Sequence, residues 1–221
     1  MMPRLEGVPR AEAAAKVLEA YDRIFPGRDP VKEPGTATGT PGNWWTVFAL
    51  APHIFDHATA QFAMFGMFSD KSVSNLDRRL RELAIIRAAF DAESQFVFSQ
   101  HCKAGRRAGV TDAEIEAIPH WQVSDLFGTN ERAVLAYTDC MILQHGRVPD
   151  GIFNALKNAL KPSEIVELSY FIMNYNLNAA ICRSLRLEYD DVPERIREVP
   201  IPADGKLAAD WAGAAWAKKP V

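Results

Sequence analysis

Hydrophobic residues recur along most of the chain at spacings of three and four, which is the period of an α-helix. The segment "SVSNLDRRLRELAIIRAAF" is the strongest example. Its apolar positions are Leu76, Leu80, Leu83, Ile86 and Phe90. The pattern predicts an amphipathic helix with Ser74 as its N-cap and Asp77 three residues later.

The same period predicts helices on both sides of this segment. They are expected at Arg10–Phe25, at about Pro52–Phe68, from the break near Asp91 to Gly109, after the capping box Thr111–Glu114, and in "TNERAVLAYTDCMILQHG", "DGIFNALKNAL" and "KPSEIVELSYFIMNYNLNAAICRSLRLE". Valine and isoleucine do not cluster in the alternating runs that are typical of strands. The predicted fold class is therefore all-α, a helical bundle.

A length of 221 residues predicts a single domain with extended ends. Residues 1–40 are expected to form an N-terminal helix and an ordered loop rich in proline and glycine. Residues 41–190 are expected to form the helical domain. Residues 191–221 form a tail, and its Trp211 and Trp216 suggest that it docks on its own subunit or on a neighbouring one.

Composition narrows the possible partners and the compartment. A net charge of −3 gives no basic surface for nucleic acid, and no apolar run reaches the roughly 18 to 20 residues of a membrane-spanning helix. The N-terminus lacks the apolar core of a signal peptide. The three cysteines are widely spaced and odd in number, which is typical of a reducing compartment. We therefore expect a cytoplasmic protein that binds neither nucleic acid nor membrane.

The stretch "ESQFVFSQHCKAGRRAG" raises the question of thiol, metal or proton chemistry, because it sets His101 beside Cys102. On a helix these two side chains point about 100° apart, and Cys102 has no partner cysteine nearby, so we expect it to be a small buried hydrophobe. A metal site is a weak alternative at His53 and His57, which stand one helical turn apart without a third ligand in sequence. The preferred interpretation is that both histidines are partly exposed and bind no metal.

Acid–base chemistry is the third possibility. The two helices flanking Asp91 are expected to form an antiparallel hairpin, and Glu82 and His101 lie nine and ten residues from its turn. The two side chains should therefore meet across the hairpin. A partly desolvated carboxylate facing an imidazole is a pair whose protons can move near neutral pH.

The stretch "RLRELAIIRAAFDAESQFVFSQHCKAGRRAGVTDAEIEAI" resembles the carboxymuconolactone decarboxylase family, which includes the AhpD-like alkylhydroperoxidases. The matching positions are Arg79, Arg81, Glu82, His101, Gly109, Asp112 and Glu114, followed downstream by Tyr175 and Asn176 in place of the family's Tyr-Asn pair. The resemblance spans about residues 41–188. It implies an all-helical protomer, a homotrimer or homohexamer, and sites between helices near subunit contacts.

The chain departs from the family pattern before the histidine. Peroxidase members carry two cysteines seven and four residues before it, and Ser94 and Val97 stand at those places here. Neither side chain can form a thiolate or a disulfide, so peroxidase chemistry through that pair is excluded. Many decarboxylase-like members have a glutamate at the second of these places, and Val97 removes that group as well.

The resulting prediction is a cofactor-independent carbon–carbon lyase, of decarboxylase or retro-aldol type, acting on a small carboxylate or phenolic substrate in a catabolic pathway. His101 is expected to donate or shuttle the proton, with Glu82 as its partner or base. Tyr175 and Asn176 are expected to bind the substrate through polar contacts, and Arg87 is expected to bind an anionic group of the substrate. Arg79 and Arg81 are expected to form ion pairs on the helix surface. The predicted aromatic wall is Trp44, Trp45 and Phe65. The alternatives are a non-catalytic ligand-binding scaffold and, third, a peroxidase using Cys102 alone.

Overall fold

The computed structural model describes residues 3–65, 73–190 and 196–201, without the side chains of Ala63 and Phe65. In these ranges the secondary structure is helical throughout, so the predicted all-α class is confirmed. The α-helices are α1 (Ala15–Ile24), α2 (Asn43–Phe48), α3 (Pro52–Ala60), α4 (Arg78–Asp91), α5 (Gln95–Arg107), α6 (Asp112–Ala117), α7 (Thr129–Leu143), α8 (Asp150–Ala159) and α9 (Pro162–Leu185). Short 3₁₀ helices span Arg10–Glu12, Gln61–Phe65 and Ile118–Val123.

The chain divides into two compact units. The first unit comprises Met1–Ser74, Leu185–Asp191 and Pro200–Val221, and the second comprises Asn75–Ser184 and Val192–Val199. Helices α1 to α3 therefore belong to the first unit and α4 to α9, but for Leu185, to the second. The domain boundaries expected near residues 40 and 190 stay predictions.

In the first unit α1 begins at Ala15 and not at Arg10 as predicted. The backbone N–H of Arg10 donates to Asp29 at 2.9 Å, and its guanidinium donates to the carbonyls of Arg28 and Phe25 at 2.8 Å each. These bonds hold residue 10 outside the helix and fix the loop that follows α1.

Glu188 organises the N-terminus of α2. Its buried carboxylate accepts hydrogen bonds from the backbone N–H groups of Gly42 at 3.1 Å and Trp44 at 2.7 Å. Burial raises the pKa of Glu188 to about 7, although these two donors oppose the shift. Gly42 has φ of +95°, and a Cβ there would lie 2.8 Å from the ring of Phe25, so a side chain at this position is excluded by both strain and space.

The predicted helix Pro52–Phe68 is shorter than expected. Helix α3 ends at Ala60 and a 3₁₀ helix follows to Phe65, while residues 66–68 lie outside the described ranges. None of the helices in the described part combines the length and the apolar character needed to cross a membrane.

In the second unit, two predictions about α4 are wrong. Its N-cap is Asp77, whose carboxylate accepts the N–H of Leu80 at 2.9 Å, and not Ser74. The helix is also not amphipathic, because every residue from Arg81 to Ala89 is buried. Helices α5 and α7 and the 3₁₀ helix Ile118–Val123 all pack against it, so α4 is the central helix of this unit.

Helices α4 and α5 form the predicted hairpin, and the chain turns between Ala92 and Ser94. Ser94 caps α5 by accepting the N–H of Val97 at 3.2 Å. Farther along α5, Gly105 faces Ile86 so closely that an added Cβ would lie 2.9 Å from it. The small residue lets the two helix backbones approach each other.

Two sets of polar contacts hold other elements to this hairpin. Arg79 on α4 pairs with Glu114 of α6 at 2.5 Å and with Glu131 of α7 at 2.7 Å. In the tail, Val199 donates to Ser99 of α5 at 2.8 Å, and Glu198 accepts two bonds from Arg106 of α5. The tail thus contacts its own α5 at these residues, while Trp211 and Trp216 lie outside the described ranges.

We expect Asp77→Ala to lower the free energy of unfolding by about 0.5 to 2 kcal/mol, because α4 loses the side chain that satisfies one of its first N–H groups. Asp77→Asn is the matched control, since an asparagine oxygen accepts the same bond. Urea denaturation of both variants measures the difference. Equal stability of the alanine and asparagine variants would contradict the capping role.

Candidate functional site

The site is built on the α4–α5 hairpin. Glu82 lies on α4 and His101 on α5, and the Nδ1 atom of the imidazole is 2.7 Å from Oε2 of the carboxylate. Glu82 is 1% exposed and His101 8%. The predicted meeting of these two side chains is therefore confirmed, and it takes place in a largely desolvated setting.

The charge of Glu82 is stabilised by a hydrogen-bond donor and by two arginines. Burial raises the pKa of this carboxyl, but His101, Arg81 and Arg78 outweigh that effect, and the net pKa of Glu82 is lowered. The group is therefore ionised at neutral pH. Since a carboxylate only accepts hydrogen bonds, His101 Nδ1 is the donor, and Nε2 is the second nitrogen of the ring.

Arg81 is the residue of the site that sequence reasoning placed wrongly. It is 3% exposed and not part of a surface pair, and its Nη2 atom lies 3.4 Å from Oε1 of Glu82. Its guanidinium also lies over the ring of Phe171 on α9, 5.4 Å from the ring centroid. The uninterrupted apolar run that follows Glu82 is a signal of burial on every side of α4, and it could have indicated that Arg81 faces inward.

Tyr175 on α9 is the fourth residue of the site, beside Glu82, His101 and Arg81. Its ring meets the imidazole of His101 edge to face, with centroids 4.2 Å apart. Burial raises the pKa of the Tyr175 phenol, and the negative charge of Glu82 adds to that shift, so the phenol keeps its proton at neutral pH. Asn176, the next residue of α9, is half-buried. Its role as a polar anchor stays a prediction.

Arg87 is held by internal partners. It pairs with Asp91 at 3.0 Å and with Asp139 at 2.6 Å, and it donates to the carbonyl of Ile118 at 2.9 Å. An anionic substrate group would have to displace one of these carboxylates. We therefore do not include Arg87 in the candidate site, and its anion-binding role stays a prediction without support from these contacts.

The predicted aromatic wall belongs to the first unit. Trp44 stacks on Phe48 with centroids 4.3 Å apart and meets Trp45 edge to face at 4.8 Å. Trp44 is buried and Trp45 half-buried. Phe65 ends the 3₁₀ helix of the same unit, and its side chain is outside what the structure describes. That these aromatic residues contact a substrate stays a prediction.

Cys102 is a buried thiol. It is 0% exposed, and burial raises its pKa to about 12, so the thiolate that peroxide reduction needs is disfavoured. Ser94 and Val97, which occupy the positions of the two peroxidase cysteines, have structural roles. Ser94 caps α5, and Val97 is part of the core.

His53 and His57 are both exposed on α3. In the described ranges, no three histidine, cysteine, aspartate or glutamate side chains come together in a group that could hold a metal ion.

Comparison with known proteins places this geometry in context. Residues 55–139, which include both Glu82 and His101, match the sequence model of the Carboxymuconolactone decarboxylase family. Among curated proteins, the uncharacterized protein YdfG of Bacillus subtilis (strain 168) is 25% identical over 104 residues, which cover 47% of this chain and 71% of that protein.

Two solved structures show the same fold. One is an alkylhydroperoxidase AhpD core protein, an uncharacterized peroxidase-related protein from Ralstonia eutropha JMP134, with a TM-score of 0.65, 14% identity and coverage of 90% of this chain and 98% of that one. The other is the debrominase Bmp8 in its apo form, with a TM-score of 0.63, 14% identity and coverage of 93% and 95%. A cysteine-to-alanine variant of Bmp8 was solved with 2,3,4-tribromopyrrole.

The chain thus has an AhpD-like helical fold with a carboxylate–imidazole pair in the hairpin of its second unit. Residues 55–139 are similar to the Carboxymuconolactone decarboxylase family, and Ser94 and Val97 stand where the peroxidases of that family are expected to carry two cysteines.

We expect the thiols of the native protein to react with a disulfide reagent no faster than free cysteine, because all three are buried. The measurement is the rate of thiolate release from Ellman's reagent, with the urea-unfolded chain as the control for full reactivity. A fast-reacting native thiol that disappears in Cys102→Ala would contradict this result and favour the peroxidase alternative.

Proposed function

We propose that this protein is a cofactor-independent carbon–carbon lyase, a decarboxylase or a retro-aldol enzyme, that acts on a small organic acid or aromatic-derived compound in a catabolic pathway. The observation that carries the proposal is the 2.7 Å contact between an ionised, buried Glu82 and the imidazole of His101. The similarity of residues 55–139 to a family named for a decarboxylase agrees with it.

Both reaction types leave an electron pair on carbon. When CO₂ departs from a carboxylate, or a small carbonyl fragment departs after its hydroxyl has lost a proton to solvent, the electrons of the broken bond remain on the substrate as an enolate, which must gain a proton. A protonated His101 delivers that proton from Nε2. The carboxylate of Glu82 stabilises the imidazolium at Nδ1 before the transfer and keeps the ring oriented after it. Solvent then restores the proton on the ring.

Tyr175 and Arg81 have supporting roles in this proposal. Tyr175 packs against the imidazole and restricts the ring to the orientation set by Glu82. Arg81 contributes positive charge beside the carboxylate, which keeps Glu82 ionised despite its burial. Both contacts favour a fixed geometry, and proton transfer depends strongly on such geometry.

A non-catalytic ligand-binding protein is the second candidate. Ser94 and Val97 favour it, because they stand where relatives of known chemistry carry reactive side chains. The retained pair of Glu82 and His101 opposes it, since a buried ionised carboxylate is costly to keep without a use. Binding of phenolic acids without turnover, measured by calorimetry, would select this candidate.

The test of the lyase is a screen of small carboxylic and phenolic acids for release of CO₂ or formaldehyde. With a substrate in hand, we expect His101→Ala to lower kcat at least about 100-fold, the lower bound for a positioned acid–base group. Glu82→Gln should also lower kcat, because it removes the charge that stabilises the imidazolium. His53→Ala, at an exposed histidine of α3, is the matched control. Near-full activity of His101→Ala with an intact fold would refute the assignment.

We also propose that the protein is a homo-oligomer, a trimer or a hexamer, in keeping with the resemblance to its family. A row of apolar side chains on α9 supports self-association. Val166, Tyr170, Met173 and Leu177 follow one another at spacings of four, three and four, and each is between 41% and 70% exposed. Apolar side chains at this spacing form one continuous stripe along the helix, and such a stripe packs against another helix.

We expect Met173→Glu combined with Leu177→Glu to lower the mass of the assembly, because a charge in a packed seam is costly to desolvate. Size-exclusion chromatography with light scattering measures the mass. Asn158→Glu on the exposed side of α8 is the control that adds charge elsewhere. An unchanged assembly in the double variant would show that α9 is not the contact surface.

A further inference from the structure

A second buried ionisable cluster lies in the second unit, apart from the pair of Glu82 and His101. Asp91 ends α4, roughly 13 Å along the helix axis from Glu82. Its side chain is 3% exposed and lies beside Asp139 of α7 and Arg87 of α4. The guanidinium reaches Asp91 Oδ1 at 3.0 Å and Asp139 Oδ1 at 2.6 Å.

The charges in this cluster do not balance if both carboxyl groups are ionised. One guanidinium then faces two carboxylates. A third nitrogen of the same guanidinium, Nη1, donates to the carbonyl of Ile118 at 2.9 Å. The other donors to Asp139 are neutral, namely Trp121 Nε1 and Gln122 Nε2 at 3.1 Å each. Two negative charges in such a desolvated place are unfavourable, and one of them is removed when a proton binds.

The hydrogen bonds indicate which carboxyl group carries that proton. Both oxygens of Asp139 accept bonds from the donors just described. In contrast, Asp91 Oδ2 is buried and accepts no hydrogen bond within the described ranges. A buried anionic oxygen without a donor is costly. A proton on Oδ2 removes that cost, because the hydroxyl can donate to the neighbouring Asp139 carboxylate.

We propose that Asp91 and Asp139 bind one proton between them at neutral pH, with Asp91 as the acid and Asp139 as the carboxylate that accepts its hydrogen bond. The shared proton joins the end of α4 to α7. It also secures the turn that leads into α5, and with it the hairpin that presents His101. The proposal stands whether or not the protein is a lyase.

A raised pKa of Asp91 agrees with this arrangement. Burial raises the pKa of Asp91 from 3.8 to about 7, Arg87 opposes the shift, and Asp139 adds to it. From α9, Arg183 donates to the carbonyl of Ala92 and pairs with the exposed Glu93, so it acts on the turn rather than on this carboxyl group.

The raised pKa of Asp91 determines how the stability of the fold changes with pH. The folded protein holds the proton more tightly than the unfolded chain does, so this pair stabilises the fold fully below pH 3.8. Its contribution decreases as the pH rises and is lost above about 7. An ordinary ion-paired aspartate, whose pKa is lowered on folding, would show the opposite trend.

Asp91→Asn in the full chain tests the proposal, because an amide mimics the neutral acid and can donate to Asp139. We expect its thermal midpoint at pH 8 to exceed that of the wild type by at least about 2 °C, the shift expected from a modest stabilisation in a chain of this size. At pH 5 the difference should shrink or vanish. A lower midpoint at both pH values would overturn the proposal, since it would mean that an ionised Asp91 stabilises the fold through Arg87.

Asp139→Asn is the matched control and should lower the midpoint at both pH values, because Arg87 loses the closer of its two carboxyl partners. A direct readout does not depend on either variant folding. In wild-type protein with labelled carboxyl carbons, the resonance assigned to Asp91 should titrate with a midpoint near 7. A midpoint below about 5 would overturn the proposal as well.

Discussion

The hydrogen bond between Glu82 and His101 is the interaction on which this account of the protein depends. It joins two adjacent helices at a point where almost no water reaches, so both partners must satisfy each other. Arg81 on one side and Tyr175 on the other restrict the pair further. The helical hairpin thereby fixes the orientation of one imidazole, and the proposed lyase mechanism uses that orientation.

The fold explains how a charged group can be kept in such a place. Helix α4 is surrounded by its neighbours, and its buried side chains Glu82 and Arg87 both lie close to groups of opposite charge. Glu82 is paired with cations, and Arg87 is paired with carboxylates. Removing one member of such a pair leaves an uncompensated buried charge, which costs more than the intact pair contributes. The central helix is therefore sensitive to single substitutions at its charged positions.

Much of this arrangement is predictable from the sequence, and the failures have physical causes. Helical spacing gave the elements of the second unit, and the symmetry of a hairpin about Asp91 was enough to bring Glu82 to His101. The inward position of Arg81 was missed, because a polar residue was assumed to face solvent on an amphipathic helix. The cluster of Asp91, Asp139 and Trp121 was not predicted either, since its members are separated by long stretches of chain and only tertiary packing brings them together. Local patterns fix helices and their immediate neighbours, but not contacts of this range.

The most direct test of the central claim is a ¹⁵N NMR measurement of the His101 ring in the uniformly labelled protein. We predict that the neutral ring carries its proton on Nδ1, with a proton signal shifted far downfield by the carboxylate, and that this signal is lost in Glu82→Gln. A ring that carries its proton on Nε2, or an Nδ1 signal that is unchanged when Glu82 is replaced, would contradict the account.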